Sequence, residues 1–437
     1  MSDRLLASAL FVAVFLIYNA NGREVGNYDS QPTKYAAREL LLRGTLALNY
    51  VVGATPQLME RPAFVAARDG RYRSAYSPVP AIVAAGLCWP LWKAGVIDIR
   101  SPLGANVIAK LSASILTSAA IGLAFLAARR YTSSRRAAFV ALALGLGTGY
   151  WSTTSQTLWQ HETVAFGLGI AVLGFTAPDA RIPALLASGA GLALAGTSRP
   201  QLAPAVAVLL LGVVARAGWR RAMIPVAIAG VAAAALITAH MQWFGTILGG
   251  MPILEALHPR VHATESTFTL STDGFLGLWI SPNRGLLVFS PVVLGVLAGY
   301  AQMRADRWRG AAPWCAAAAL AQYALYSAYA VWWGGHTYGP RYMLDVLPFL
   351  VPLAASVGMR NLPRASIAAL ALGFTWSVVV AGLGAFVFPN ERWNLMPEDV
   401  DRHHERLWDW SDMQIERAWH AGPSPQNFSL PPFGADG

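Results

Sequence analysis

The chain has 437 residues, 33 of them Lys or Arg against 23 Asp or Glu, for a net charge of +10. Hydrophobic types make up 55% and charged types only 13%, about half the roughly 25% of a soluble domain. Those proportions exclude a soluble enzyme. Lys34, Lys93 and Lys110 are the only lysines, and the arginines cluster in short loops between apolar runs. They therefore report membrane topology rather than nucleic-acid binding. Cys88 and Cys315 lie inside apolar runs and suggest neither a disulfide framework nor a zinc site.

In chain order the apolar blocks fall near 5–20, 79–97, 104–128, 137–151, 163–177, 182–196, 202–215, 222–244, 285–303, 312–333, 342–357 and 365–388. Their lengths suit bilayer spans and none alternates with period two, so each predicts a helix. The fold class expected is an all-α polytopic transmembrane helical bundle of about 11–12 spans. The first block reads as a retained span rather than a cleaved signal.

Loop charge sets the sidedness. Arg129, Arg130, Arg135 and Arg136, then Arg181, then Arg216, Arg220 and Arg221, then Arg304, Arg307 and Arg309, and finally Arg360 and Arg364 mark cytoplasmic loops. Residues 152–162, 197–201, 245–284, 334–341 and the tail fall outside. Block 79–97 breaks this alternation if it spans. Pro78, Pro80, Pro90, Trp89, Trp92 and Lys93 suit an interfacial or re-entrant helix instead, which leaves 21–103 as one external loop and eleven spans. A twelve-span chain with one charge violation is the alternative.

The domain expected is 1–390, with external loops 21–78 and 245–284, followed by a short extracytoplasmic helix and tail over 391–437. Loop 21–78 predicts a helix from about Thr33 to Leu46. The stretch Pro397–His420, rich in acids, arginines and tryptophans, predicts an amphipathic helix lying at the interface or on the domain.

Five polar clusters share the external side. Asn27-Tyr28-Asp29-Ser30, with Lys34, follows the first span. Its acid can act on a lipid-anchored substrate at the membrane surface, or it can cap the helix that begins near Pro32. Trp159-Gln160-His161-Glu162 enters a span, where ionisable groups are costly unless paired or lining a polar cavity. Ser198-Arg199-Pro200-Gln201 ends a span. Ser281-Pro282-Asn283-Arg284-Gly285 opens one and offers a guanidinium at a helix start, suited to an anion. The last cluster, Trp332-Trp333-Gly334-Gly335-His336-Thr337-Tyr338-Gly339-Pro340-Arg341, makes a tight loop. Asp345 stands at i+4 from Arg341, a helical spacing that can pair them and fix a phosphate clamp beside Tyr338 and His336. Walker, zincin, nucleophile-elbow and Rossmann motifs are absent, so no nucleotide cofactor is expected and a transferase acting outside would draw on a lipid-linked donor.

Together these motifs resemble the GT-C superfamily of polyprenyl-phosphate-sugar-dependent membrane glycosyltransferases. The likeness rests on Asn27-Tyr28-Asp29 after the first span, Tyr76-Ser77-Pro78-Val79-Pro80 in the first loop, His161-Glu162, Ser198-Arg199-Pro200 and Gly335-His336-Thr337-Tyr338-Gly339-Pro340-Arg341. It covers about residues 5–390 and departs from the larger members in lacking a big soluble C-terminal domain. The resemblance implies Asp29 as general base or metal ligand, with Glu162 as the second-loop acid. It implies an inverting transfer at the extracytoplasmic face of a bacterial inner membrane, from a polyprenyl-phosphate-linked sugar to a glycolipid, polysaccharide or protein. Donor-phosphate contacts would come from Arg341, Arg284, Arg199, Lys34, His336 and Tyr338, with His161 and Asp345 behind them. A divalent metal, if used, would be held by Asp29, Glu162 and His161. An anionic-lipid transporter or flippase would need the same arginines but also repeat symmetry, which is not evident. An O-antigen ligase or polymerase with a pyrophosphate-linked donor shares the layout.

Overall fold

The computed structural model describes residues 2–296, 310–357 and 362–431. Arg304, Arg307, Arg309 and Arg360, and the end of the 285–303 block, lie outside the described residues. The protein is an all-α polytopic membrane protein. Among the described residues four helices are long and apolar enough to cross a bilayer: Gly104–Ala128, Pro200–Ala217, Trp219–Trp243 and Arg364–Val387. Shorter apolar helices, among them Asp3–Asn19, His161–Phe175, Ile182–Ser198 and Ala311–Ser327, complete the bundle. Val231 at 72% exposure and Leu372 at 73% point away from the protein. Large apolar side chains left outside on these helices make an apolar outer surface that lipid would cover.

The helices pack through small residues. His161–Phe175 lies against Ile182–Ser198 so closely that a Cβ on Gly167, Gly174 or Gly191 would run into the facing backbone. Close approach of this kind compensates for the weak hydrophobic drive between helices in lipid. One end of the bundle carries the arginines. Arg129 Nε meets Asp3 Oδ1 at 2.8 Å. Arg130 and Arg216 donate to the last carbonyls of His161–Phe175, those of Leu173 and Phe175, so cations sit at the negative end of a helix.

The opposite end carries the first loop. Its helix runs Gln31–Arg43, with Pro32 in the first turn and Gly44 closing it at φ +66°. Residues 64–74 add a short strand pair to the otherwise helical chain. Phe64–Ala66 and Tyr72–Ser74 pair antiparallel around Asp69-Gly70, a turn favoured because Gly70 takes φ +73°. Val79–Lys93 is a 15-residue helix packed on Gln31–Arg43 and on the start of Gly104–Ala128, where Cys88 faces Ile108. Ser77, just before it, donates to Thr197 O at 2.6 Å, so this helix begins at the same end as the first loop.

Three other elements differ from the pattern read in the sequence. The 285–303 block opens as two short turns, Leu286–Phe289 and Pro291–Leu294, because Pro291 cannot donate to a continuing helix. The 342–357 block begins with a 3₁₀ turn, Arg341–Asp345, before the helix Leu347–Ala355. The tail is not one helix. It is a folded strap with a 3₁₀ turn at His404–Trp408 and a helix only over Gln414–Ala421. Arg406 holds its loops through the carbonyls of Glu398 and Met396.

Candidate functional site

The loops at this end of the bundle, together with the tail, enclose a cavity of about 1070 Å³. Its wall includes Asn27, Asp29, Tyr76, Trp159, Arg199, His262, His336, Arg341, Tyr342, Asp399 and Asp401. Segments remote in sequence thus deliver their polar residues to one space.

Asp29 does not cap the following helix, whose first-turn N–H groups receive no side-chain bond from Ser30 either. Instead Asn27 forms the turn. Its Oδ1 accepts from Asp29 N at 2.8 Å, while its Nδ2 donates to His336 O at 2.8 Å. That frees the Asp29 carboxylate to face Arg341, whose Nη2 lies 3.0 Å from Asp29 Oδ2. The Arg341 guanidinium also stands over the rings of Trp159 at 5.2 Å and Tyr342 at 5.5 Å. Gly334, left-handed at φ +77°, makes room for it, since a Cβ there would come within 3.1 Å of Arg341 Nε.

The Arg341–Asp345 pair expected from i+4 spacing does not form. In a 3₁₀ turn with three residues per turn, i+3 rather than i+4 is eclipsed, so the two side chains diverge. Asp345 instead takes His161 Nδ1 at 2.7 Å, Tyr326 OH at 2.5 Å and Arg199 Nε at 3.3 Å. Arg199 Nη1 reaches His161 Nε2 at 2.9 Å. A neutral His161 protonated on Nδ1 gives both ring nitrogens a partner of the right sense. This buried cluster holds Arg199 beside the stacked Tyr326 and Tyr342 rings at the cavity wall.

Other residues read as site candidates stand elsewhere. Glu162 is fully buried in the first turn of its helix, takes a hydrogen bond from Thr163 at 3.0 Å, and does not line the cavity. One residue along a helix turns a side chain by roughly 100°, which separates it from His161. Lys34 is paired with Glu24 at 3.0 Å. Tyr338 is buried and donates to Val380 O at 3.2 Å. Arg284 is fully buried with all five N–H groups engaged: Nε to Trp333 O, Nη1 to Asn283 O and Gln414 Oε1, Nη2 to Gly335 O and Asn394 Oδ1. No donor is left for a phosphate. Arg284 pins the 333–335 turn to the tail and stacks over Trp393 at 5.0 Å. Among the described residues, Asp29, Glu162 and His161 do not gather within metal-ligating distance of one another.

The tail contributes residues that the sequence did not single out. His336 Nε2 lies 2.8 Å from Asp399 Oδ1 and 3.4 Å from Asp401 Oδ2. Burial pushes the His336 imidazole down, but the Asp399 hydrogen bond and the two carboxylate charges outweigh it and leave it raised. Burial likewise raises Asp399, and its bonds to His336 and the Asp401 N–H reverse that, leaving it below the usual carboxylate range. His262, from the 245–284 loop, is held down by burial against the attraction of Asp401. The one available sequence signal was Asp399-Val400-Asp401, an acid-x-acid step beside Trp393 and Trp408.

No protein-family profile and no curated protein matches the chain. Among solved structures, ArnT from Cupriavidus metallidurans in the apo state is 16% identical at a TM-score of 0.48, over 92% of this chain and 67% of that one. The archaeal oligosaccharyltransferase AglB from Archaeoglobus fulgidus, in complex with an inhibitory peptide and a dolichol-phosphate, is 12% identical at a TM-score of 0.47, over 98% of this chain and 65% of that one. The chain thus spans about two thirds of the length of each. The likeness is one of general helical arrangement and assigns no activity.

Proposed function

We propose that the protein is a membrane glycosyltransferase that moves a sugar from a polyprenyl-phosphate-linked donor to an acceptor hydroxyl at the extracytoplasmic face. The observation that carries this reading is the meeting of Asp29 and Arg341 at 3.0 Å in the wall of a large cavity at the loop end of the bundle. A carboxylate and a guanidinium side by side offer a proton acceptor and a hydrogen-bond donor to phosphate within one substrate length.

In this mechanism the donor phosphate binds Arg341, with Arg199 beside it over the same Tyr342 ring. The guanidinium can make two parallel bonds to phosphate oxygens. Asp29, relieved of its partner, takes the proton of the acceptor hydroxyl. The hydroxyl oxygen attacks the anomeric carbon as the bond from that carbon to the phosphate oxygen breaks, and the electron pair leaves on polyprenyl phosphate. Cations fixed where that charge grows stabilise the transition state more than the ground state. Attack from the face opposite the phosphate inverts the anomeric centre.

The test is sugar transfer in isolated membranes with radiolabelled polyprenyl-phosphate sugars, comparing wild type with Asp29→Asn at equal expression. Transfer by the wild type and its loss in the folded variant is the expected result. Equal transfer by both removes Asp29 as base. Transfer only from pyrophosphate-linked donors moves the protein to the ligase or polymerase class.

A further inference from the structure

We propose that His336, Asp399 and Asp401 form a binding site for a divalent transition cation in the cavity wall. One nitrogen of His336 and one oxygen from each carboxylate all lie within 4.8 Å of one another. They come from two segments some sixty residues apart, so local chain geometry alone does not explain their meeting.

The carboxylates are held as ligands would be. Asp401 Oδ1 accepts from Trp333 Nε1 at 2.8 Å, which fixes the plane of the group. Its Oδ2 accepts no hydrogen bond and faces two imidazoles, His336 Nε2 at 3.4 Å and His262 Nε2 at 3.7 Å. Asp399 Oδ1 accepts from Asp401 N at 2.9 Å, which orients the second carboxylate. Such outer bonds are what give metal ligands their aim.

Charge gives a second, separate argument. Asp401 is only 7% exposed. Among the described residues, neither it nor Asp399 has a lysine or arginine within ion-pair distance; their near partners are imidazoles. By contrast Asp29, also in the wall, is paired with Arg341, and Asp345, buried behind it, with Arg199. One imidazole shared by two carboxylates leaves negative charge over at the site, which a divalent ion would neutralise. Gly335, left-handed at φ +68°, brings no side chain into the space bounded by the Asp401 oxygens and His262 Nε2. Imidazole nitrogen with carboxylate oxygen suits Zn²⁺ or Mn²⁺ better than the all-oxygen shells of Mg²⁺ and Ca²⁺.

The experiment uses the full chain purified in detergent and stripped with a chelator, titrated with MnCl₂ alone or ZnCl₂ alone. Free Mn²⁺ is followed by electron paramagnetic resonance and heat by calorimetry. We expect one saturable equivalent, with affinity reduced at least about tenfold in Asp399→Asn and in Asp401→Asn. Asp399 is partly exposed, and thermal melts of its variant confirm folding. A Glu398→Gln, Glu405→Gln double variant addresses the exposed group around His403 and should bind as wild type does. Absence of saturable binding to the folded wild type, binding unchanged in both aspartate variants, or binding lost only in the glutamate variant overturns the site. The readout is binding, so failure of the transferase reading leaves it untouched.

Discussion

Asp29 and Arg341 stand 312 positions apart in the chain and meet at 3.0 Å. Asp29 follows the first helix and Arg341 opens the 3₁₀ turn after the glycine-rich loop. Asn27 ties those two segments together through the His336 carbonyl. In the proposed mechanism the two charges neutralise one another until a substrate separates them.

Exchange at Arg341 tests that relationship. Arg341→Ala should weaken donor binding, and Arg341→Lys, which keeps the charge, should still lower kcat/KM roughly 100-fold because an ammonium cannot make the paired contact. Steady-state transfer with varied donor checks both. Unchanged turnover and KM in the two variants would remove Arg341 from the site.

Arg284 should behave as a structural residue. Arg284→Met leaves four buried acceptors without a donor, Gln414 Oε1 alone keeping one from Gly339 N, at a cost on the order of 3 kcal/mol or more. The tail is expected to loosen first, seen as new protease cleavage within residues 391–421 and a lower melting temperature. A tail as resistant as that of wild type would contradict the role.

Asp345 is the common partner of His161, Arg199 and Tyr326. Asp345→Leu strands a buried guanidinium beside an imidazole and should destabilise the bundle by about 3–5 kcal/mol. Unfolding of the detergent-solubilised protein in denaturant measures it. A midpoint equal to wild type would mean the cluster holds nothing together.

His258 predicts an acid-sensitive loop. Burial, followed by the His262 charge, holds its imidazole down at about 4 against 6.5 for the free side chain. Between those values the unfolded chain binds the proton and the folded one does not, so stability is full above pH 6.5 and falls as pH drops toward 4. The loss is at most about 3 kcal/mol. Melting curves from pH 7.5 to 5 should show the decline, and His258→Gln should flatten it. An equally steep decline in that variant would assign the acid sensitivity to other groups.

Much of the site was legible because polar residues at span ends have few reasons to be there. Asp29, Arg199, His336 and Arg341 were read that way and all line the cavity. The same rule also selected Lys34, Glu162, Arg284 and Tyr338, which do not. Residue type and depth say that a group must be satisfied, not by whom. Arg284 is satisfied by the carbonyls of Asn283, Trp333 and Gly335 and by two side-chain amides of the tail, Lys34 by Glu24. The i+4 spacing of Arg341 and Asp345 misled because it assumes an α-helix where the chain makes a 3₁₀ turn.

The sequence by itself determined the membrane class, the approximate position of most apolar helices and the end of the bundle where the polar loops gather. Those follow from hydropathy and loop charge, which are local quantities. Only the tertiary structure decided which charges meet. It set Asp345 with His161 and Arg199, left Asp29 to Arg341, and folded the tail back through Arg284 and Trp393 so that Asp399 and Asp401 reach His336. Pairing of buried charges depends on side-chain direction and on contacts between segments hundreds of residues apart. Neither is written in the pattern of any one segment.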